Sequence, residues 1–162
     1  MILDLSQTEE NYLKAIFNLS LDLSKSVSTN AIAEKLTTKP SSVSDMVKKL
    51  AEKELVDYKK YQGVSLTKAG KEIAVKVIRK HRLWEVFLVK HLDFSWDEVH
   101  QVAEQLEHIQ SEKLTNELDR FLDYPTHDPH GDPIPNRALF MKTHNKILLL
   151  DLPLNKEGVC VG

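Results

Sequence analysis

The chain holds 162 residues, 41% of them hydrophobic and 28% charged, at a formal net charge of −2, the profile of a globular protein with apolar material for one or two small domains. Its opening, MILDLSQTEENYLK, lacks the basic-then-apolar layout of a secretion signal, and no apolar run approaches the roughly 20 residues that cross a bilayer, so a cytoplasmic protein with no membrane partner is expected. Cys160 is the single cysteine, which excludes an internal disulfide and a cysteine-built zinc site and leaves histidine and carboxylate to hold any metal.

Tyr12, Leu13, Ile16, Phe17 and Leu19 recur at helical spacing, which predicts an amphipathic helix over about 8–21 with Thr8 as its cap. VSTNAIAEKLTTKPSSVSDMVKKLAEKELV predicts a short helix over about 29–36, a break from Thr37 to Pro40, and a second helix over about 41–53. This is the layout of a helix-turn-helix. VDYKKYQGVSLT carries two short β-prone runs about Gln62 and Gly63, a hairpin wing, and TKAGKEIAVKVIRKHRLWEVFLVKHL then begins a long helix.

Charge is divided along the chain. Residues 30–71 hold nine lysines against five acids, a net +4, whereas 92–136 hold eleven acids against Lys113 and Arg120, a net −9. The first segment suits a polyanion and the second a cation, although solvated helix faces produce the same asymmetry. Ser41, Ser42, Ser44 and Asp45 fall in the first turns of the second helix of the pair, where small polar side chains reach base edges or phosphates. Lys48, Lys49, Lys59 and Lys60 are expected to contact the DNA backbone. A plainer reading has the serines capping a helix and the lysines solvating it; the ordered succession of helix pair, turn and basic Tyr-bearing hairpin favours DNA.

KHRLWEVFL sets His81 and Glu85 four residues apart, on one helical face. Further on, VHQVAEQLEHIQ places His100, Glu104, Glu107 and His108 within an arc of about 100°, while Val99, Val102, Leu106 and Ile109 point elsewhere. One such pair alone is the pattern of a surface hydrogen bond; two helices carrying such clusters point to a divalent ion, and nitrogen and oxygen donors without thiolate suit Mn, Fe, Co, Ni or Zn. His91, His127, His130 and His144 have no comparable partners in the sequence and are read as bland.

The series TEENYLKAI, AIAEKL, PSSVSDMVKKL, YQGVSLTKAG, RKHRLWEVFL, EQLEH and DPHGDPIP, in this order over residues 6–136, resembles the diphtheria toxin repressor and manganese transport regulator family of metal-dependent transcriptional repressors. The resemblance implies a mainly α chain: a winged helix-turn-helix DNA-binding domain over 1–72, a helical dimerisation and metal-binding domain over 73–136, and over 137–162 a tether with the start of a truncated SH3-like domain, of which LLLDLPLNKEGVCVG resembles only the opening strand. It assigns the primary metal site to Asn11, Glu104, Glu107 and His108 and the ancillary site to His81, Glu85 and His100. Family members with the full SH3-like domain draw extra ancillary ligands from it, so water or nothing would complete that site here. The iron-responsive branch has cysteine where this chain has Glu104 and the manganese-responsive branch has glutamate, so Mn(II) is the favoured cofactor and Fe(II) the alternative. Asn11 departs from both branches, which usually carry methionine or aspartate there.

By this resemblance the chain is a repressor, not an enzyme, that binds palindromic operator DNA as a homodimer and controls metal-uptake genes. An ion held jointly by Asn11 and the later ligands would fix the reading heads of the dimer at one spacing, and in its absence the acidic ligands would repel one another. Two rivals stand beside it. One is a winged-helix regulator that needs no metal. The other is a helical carboxylate and histidine metalloenzyme, disfavoured because the chain has neither a Glu-x-x-His nor an HExxH pattern.

Overall fold

A computed structural model of the chain describes residues 4–23 and 26–141. The first helix, α1, runs Gln7–Leu23. Its cap is Ser6 rather than the expected Thr8: the Ser6 hydroxyl accepts from the Glu9 backbone N–H at 3.3 Å, and the Glu9 carboxylate accepts from the Ser6 N–H at 2.8 Å. Ser6 and Glu9 are the two ends of an S-x-x-E capping box, which satisfies two otherwise unpaired donors at once and so outcompetes a lone threonine.

Helix α2 (Thr29–Lys35) is capped by Ser28, which accepts from the Ala31 N–H at 3.1 Å. Helix α3 (Pro40–Glu52) opens with proline at a position where the missing N–H costs nothing. Strands β1 (Val56–Lys59) and β2 (Gly63–Leu66) pair antiparallel with Val56 opposite Leu66 and Lys59 opposite Gly63. Val27 adds an isolated bridge to Val64, with both backbone bonds at 2.8 Å. The turn needs left-handed backbone at Tyr61 (φ 66°) and Gly63 (φ 92°). At Gly63 any Cβ would also stand 2.9 Å from the Val27 carbonyl oxygen, so only glycine fits. This helix pair with its two-stranded wing is the winged helix-turn-helix read from the sequence. Its core is formed by Leu13, Ile16, Val27, Ile32, Val43, Val47, Leu50, Leu55 and Val64, all without solvent exposure, each worth about 1.5–3 kcal/mol of transfer free energy.

Helix α4 (Lys68–Leu92) follows at once, entered through Thr67, whose hydroxyl accepts from the Gly70 N–H at 3.1 Å. The chain divides into two compact units between Val77 and Ile78. In the second, α4 packs Leu83 and Val86 against Leu118 and Leu122 of α6 (Glu112–Phe121) and its C-cap, and against Ile134, with Trp84 and Phe87 at the margin. Between them α5 spans Val99–Leu106. It is shorter than the expected ligand-bearing stretch, and Glu107 and His108 lie in the turn beyond it. Its buried face is Val99 and Ala103, while Ile109, expected on the apolar face, is 39% exposed.

Residues 126–136 form a strap across this unit. Ile134 N–H bonds the Thr126 carbonyl at 2.8 Å and His127 bridges Pro133. Two arginines of α4 hold the strap: Arg79 donates to the Pro135 carbonyl at 2.7 Å and to Asp119 at 2.8 Å, and Arg82 donates to the Pro133 carbonyl. No described helix is long and apolar enough to cross a membrane. His144, Cys160 and the expected SH3-like strand lie outside the described residues.

Candidate metal centre

Three imidazoles converge on one buried carboxylate. Glu85, on α4 and 2% exposed, has Oε1 at 3.0 Å from His81 Nε2 and 3.4 Å from His100 Nδ1, and Oε2 at 3.6 Å from His130 Nδ1. His81 Nε2 and His100 Nδ1 are themselves 3.2 Å apart. The first pair follows from the helical period, since His81 and Glu85 are one turn apart on α4.

The opposite nitrogen of each ring is committed elsewhere. His81 Nδ1 lies 2.5 Å from Glu107 Oε2, His100 Nε2 lies 3.4 Å from Glu104 Oε1, and His130 Nε2 lies 2.9 Å from the Trp96 carbonyl oxygen. A carbonyl oxygen only accepts, so His130 carries its proton on Nε2, and a neutral ring then turns the bare Nδ1 lone pair on Glu85. Lone pairs aimed at a carboxylate repel unless a cation or a proton stands between them. Rings oriented by outer acceptors with their inner nitrogens converging are the arrangement of metal-ligating histidines.

Two groups among the described residues have ligand atoms all within 4.8 Å of one another: His81, Glu85 and His100, and Glu85, Asp128 and His130. The first is the expected ancillary trio. The second was not read from the sequence, and it corrects the reading of His130 as bland. Asp128 is buried, and its Oδ1 accepts from the N–H groups of His130 and Asp132 at 2.9 Å, closing the DPHGD turn that aims both side chains at Glu85. The signal available was the DPHG stretch itself, a tight turn bearing two ligand types.

The electrostatics agree with a cation site. Without a metal, protons take the cation's place: burial would raise the Glu85 carboxyl, but the His81 bond, the charges of protonated His81 and His130 and the His100 bond more than offset it and hold it below its ordinary value. Asp128 is pushed up, first by burial and then by the negative charges of Glu85 and Asp132, against which its backbone bonds and Arg82 act only in part. A divalent ion would relieve the repulsion between Glu85 and Asp128.

The residues expected to form the primary site are placed less uniformly. Glu107 is fully buried and its Oε1 stands 3.7 Å from His108 Nε2, while Glu104 is exposed and meets His100. Asn11 lies half-buried on α1, in the first unit. Among the DNA candidates, Ser41, Ser42, Asp45, Lys48, Lys59 and Lys60 are exposed on α3 and the wing. Ser44 bonds back to the Pro40 carbonyl at 3.1 Å, Lys48 pairs with Asp45 at 3.7 Å, and Lys60 stacks over the ring of Tyr61, which is 94% exposed at the wing tip. Lys49 turns to Glu9 at 3.3 Å.

Residues 4–64 match the family model described as the iron dependent repressor N-terminal DNA binding domain, and residues 67–136 match that of the iron dependent repressor metal binding and dimerisation domain. The iron-dependent repressor IdeR of Mycobacterium leprae is 36% identical over 132 residues, 82% of this chain and 57% of that protein. An uncharacterised HTH-type transcriptional regulator of Methanocaldococcus jannaschii is 34% identical over 74% of this chain and 95% of its own length. Among solved structures, a manganese-dependent transcriptional repressor in complex with manganese superimposes with a TM-score of 0.78 at 41% identity, covering 85% of this chain and 63% of that one. The manganese regulator SloR does so at 0.74 and 44%, covering 83% and 62%. The chain thus spans a little over half the length of IdeR and under two thirds of these structures. On its two domains and their order, the chain belongs to the diphtheria toxin repressor and manganese regulator family of metal-dependent transcriptional repressors, which are not enzymes.

Proposed function

We propose that this chain is a Mn(II)-activated repressor, with Fe(II) the alternative ion, that binds a palindromic operator as a homodimer and shuts off metal-uptake genes. The observation that carries the reading is the convergence of three imidazoles on Glu85, each with its other nitrogen occupied by Glu107, Glu104 or the Trp96 carbonyl. Oxygen and nitrogen donors without sulfur fit a hard to intermediate divalent ion, and the relatives named for manganese add weight to that metal. In this reading His81, Glu85 and His100 hold the ancillary ion, with Asp128 and His130 completing its surroundings from within the described chain. Asn11, Glu104, Glu107 and His108 keep the roles of primary ligands. Bound metal would supply buried Glu85 and Glu107 with a positive charge beside that of their histidine partners.

DNA would be read by Ser41, Ser42, Ser44 and Asp45, with Lys48, Lys49, Lys59 and Lys60 on phosphates, and the exposed Tyr61 at the wing tip beside them. Self-association falls to the helical unit, where Phe121, 61% exposed, lies with Phe87 and His91 in one aromatic patch within the span matched to the dimerisation domain. The test is a titration of operator binding with Mn(II) and with Fe(II) under anaerobic conditions, the duplex being selected from random sequence by the metal-loaded protein. Tight binding that needs metal and footprints two symmetric half-sites is expected; equal binding in excess chelator would refute the reading.

A further inference from the structure

Helix α3 turns one face to the core and the other to solvent. Val43, Val47 and Leu50 have no solvent exposure, and at 100° per residue Asp45 points about 140–160° away from all three. It stands at the middle of the outward face, in the second turn of the helix proposed above to read DNA, and its side chain is 81% exposed. That is an unfavourable place for a carboxylate in a protein that binds a polyanion, because the phosphates of a duplex repel it unless it meets a donor there. Asp45 pairs with Lys48 at 3.7 Å, whose side chain is 62% exposed. So open a pair is weak and yields readily to a competing donor.

The other side chains of α3 narrow what can read bases. The helix, PSSVSDMVKKLAE, holds no Arg, Asn or Gln, the planar side chains that pair bidentately with guanine or adenine. Ser44 is half-buried and gives its hydroxyl proton to the Pro40 carbonyl at 3.1 Å. Lys49 is drawn back to Glu9 at 3.3 Å, and Lys48 is a point charge on a flexible stem. Glu52, the other acid of the helix, closes it about 10 Å further along the axis, whereas base edges are met by the N-terminal part of a recognition helix. The hydroxyls of Ser41 and Ser42 both donate and accept, so they discriminate poorly; a carboxylate only accepts.

We propose that Asp45 is the specificity-determining residue of α3 and reads cytosine at one position in each operator half-site, its carboxylate accepting from the N4 amino group. The inference rests on the DNA-binding reading above and adds the base. In the major groove only the cytosine N4 and adenine N6 amino groups donate, while guanine and thymine present acceptors that a carboxylate repels. Adenine sets its N7 acceptor beside N6, so the second carboxylate oxygen faces a lone pair there and not at cytosine. The repulsion from phosphates is then offset on the right sequence only, and the acid that weakens binding to every other duplex sharpens the choice.

The test compares the parent, Asp45→Ala and Asp45→Asn in Mn(II). Each is used to select from a random duplex library, and fluorescence anisotropy then measures the selected duplex with every base pair replaced in turn, circular dichroism checking the fold. The parent should lose about tenfold or more in affinity when one particular C·G pair of a half-site becomes T·A. Asp45→Ala should bind those two duplexes within about twofold of each other and keep its preferences at all other positions. Asp45→Asn, with an amide donor beside its carbonyl, should bind the duplex with adenine at that position more tightly than the parent does. If Asp45→Ala tightens binding to all duplexes by one factor and leaves every positional preference in place, the carboxylate merely repels phosphates and the proposal is overturned. A parent preference for any base but cytosine at the position that depends on Asp45 overturns it as well. A parent that selects no duplex overturns the DNA-binding reading itself, whereas a parent that selects a palindrome whose preferences neither variant alters overturns the role of Asp45 only.

Discussion

Replacing Asp119 by leucine tests whether the strap is hung on α4 by a buried ion pair. The Asp119 side chain is 12% exposed and the Arg79 side chain 5%, with Nη2 to Oδ2 at 2.8 Å. Removing the carboxylate leaves a guanidinium out of water with one remaining acceptor, the Pro135 carbonyl at 2.7 Å. Deleting one partner of a buried pair costs about 3–5 kcal/mol, and the surviving carbonyl bond argues for the lower end, about 3 kcal/mol. For a domain of this size that is a fall in Tm of roughly 12 °C or more. The double variant Arg79→Met with Asp119→Leu removes both charges and should lie within about 1 kcal/mol of the parent. The assay is thermal and urea unfolding in chelator by circular dichroism, so that metal does not mask the difference. Because the strap delivers Asp128 and His130 to Glu85, the single variant should also weaken Mn(II) binding measured by calorimetry, and the double should recover less of that than of stability. An Asp119→Leu loss below about 1 kcal/mol, or a double variant no better than the single, would refute the idea that this pair is held out of water.

Glu104→Cys should weaken the manganese response and strengthen those to cobalt and zinc, while Glu104→Ala should impair all; unchanged metal order in operator titrations would remove the support that Glu104 lends to manganese. Metal-dependent operator binding should fade as pH drops from 7.5 toward about 6, because ligating imidazoles must be neutral and free histidine titrates near 6.5; a response flat down to pH 5.5 would contradict histidine ligation. The Glu9 carboxyl is raised by burial but lowered further by its bonds from Lys53, Ser6 and Lys49, to about 2 from 4.5. A depressed carboxylate stabilises above its unfolded value and loses that contribution as pH falls through the folded one. Urea unfolding should therefore show Glu9→Gln deficient by up to about 3 kcal/mol at pH 6 and equal to the parent near pH 2. Gly70→Ala would put its Cβ 2.0 Å from the Leu55 carbonyl oxygen, which should cost roughly 3 kcal/mol in urea unfolding; a neutral substitution would show that α4 can shift away from β1.

Much of the architecture was legible because its signals are local. Pro40 and Ser28 mark helix starts by their own chemistry, apolar residues at helical period define α1 and α3, and Tyr61, Gln62 and Gly63 mark the wing turn. The pairing of His81 with Glu85 needs only one turn of helix. The Ser6 cap is equally local: its S-x-x-E spacing to Glu9 marks it, and two reciprocal bonds outweigh a lone Thr8 hydroxyl. What no local rule could supply is which faces meet. His130 reaches Glu85 across 45 residues of chain because Arg79 and Arg82 bind the strap's carbonyl groups and the DPHGD turn folds back on Asp128. Glu9 finds Lys53 across 44 residues because α1 and α3 both pack against α2, with Leu13, Ile16, Val47 and Leu50 fully buried. Helical period decides which residues share a side of one element, and the sequence alone determined that much for the winged helix and for two ligand-bearing helices. Whether a histidine on a loop is bland or poised on a buried carboxylate depends on packing between elements distant in sequence, where burial removes water as a competitor and turns a long-range neighbour into a partner.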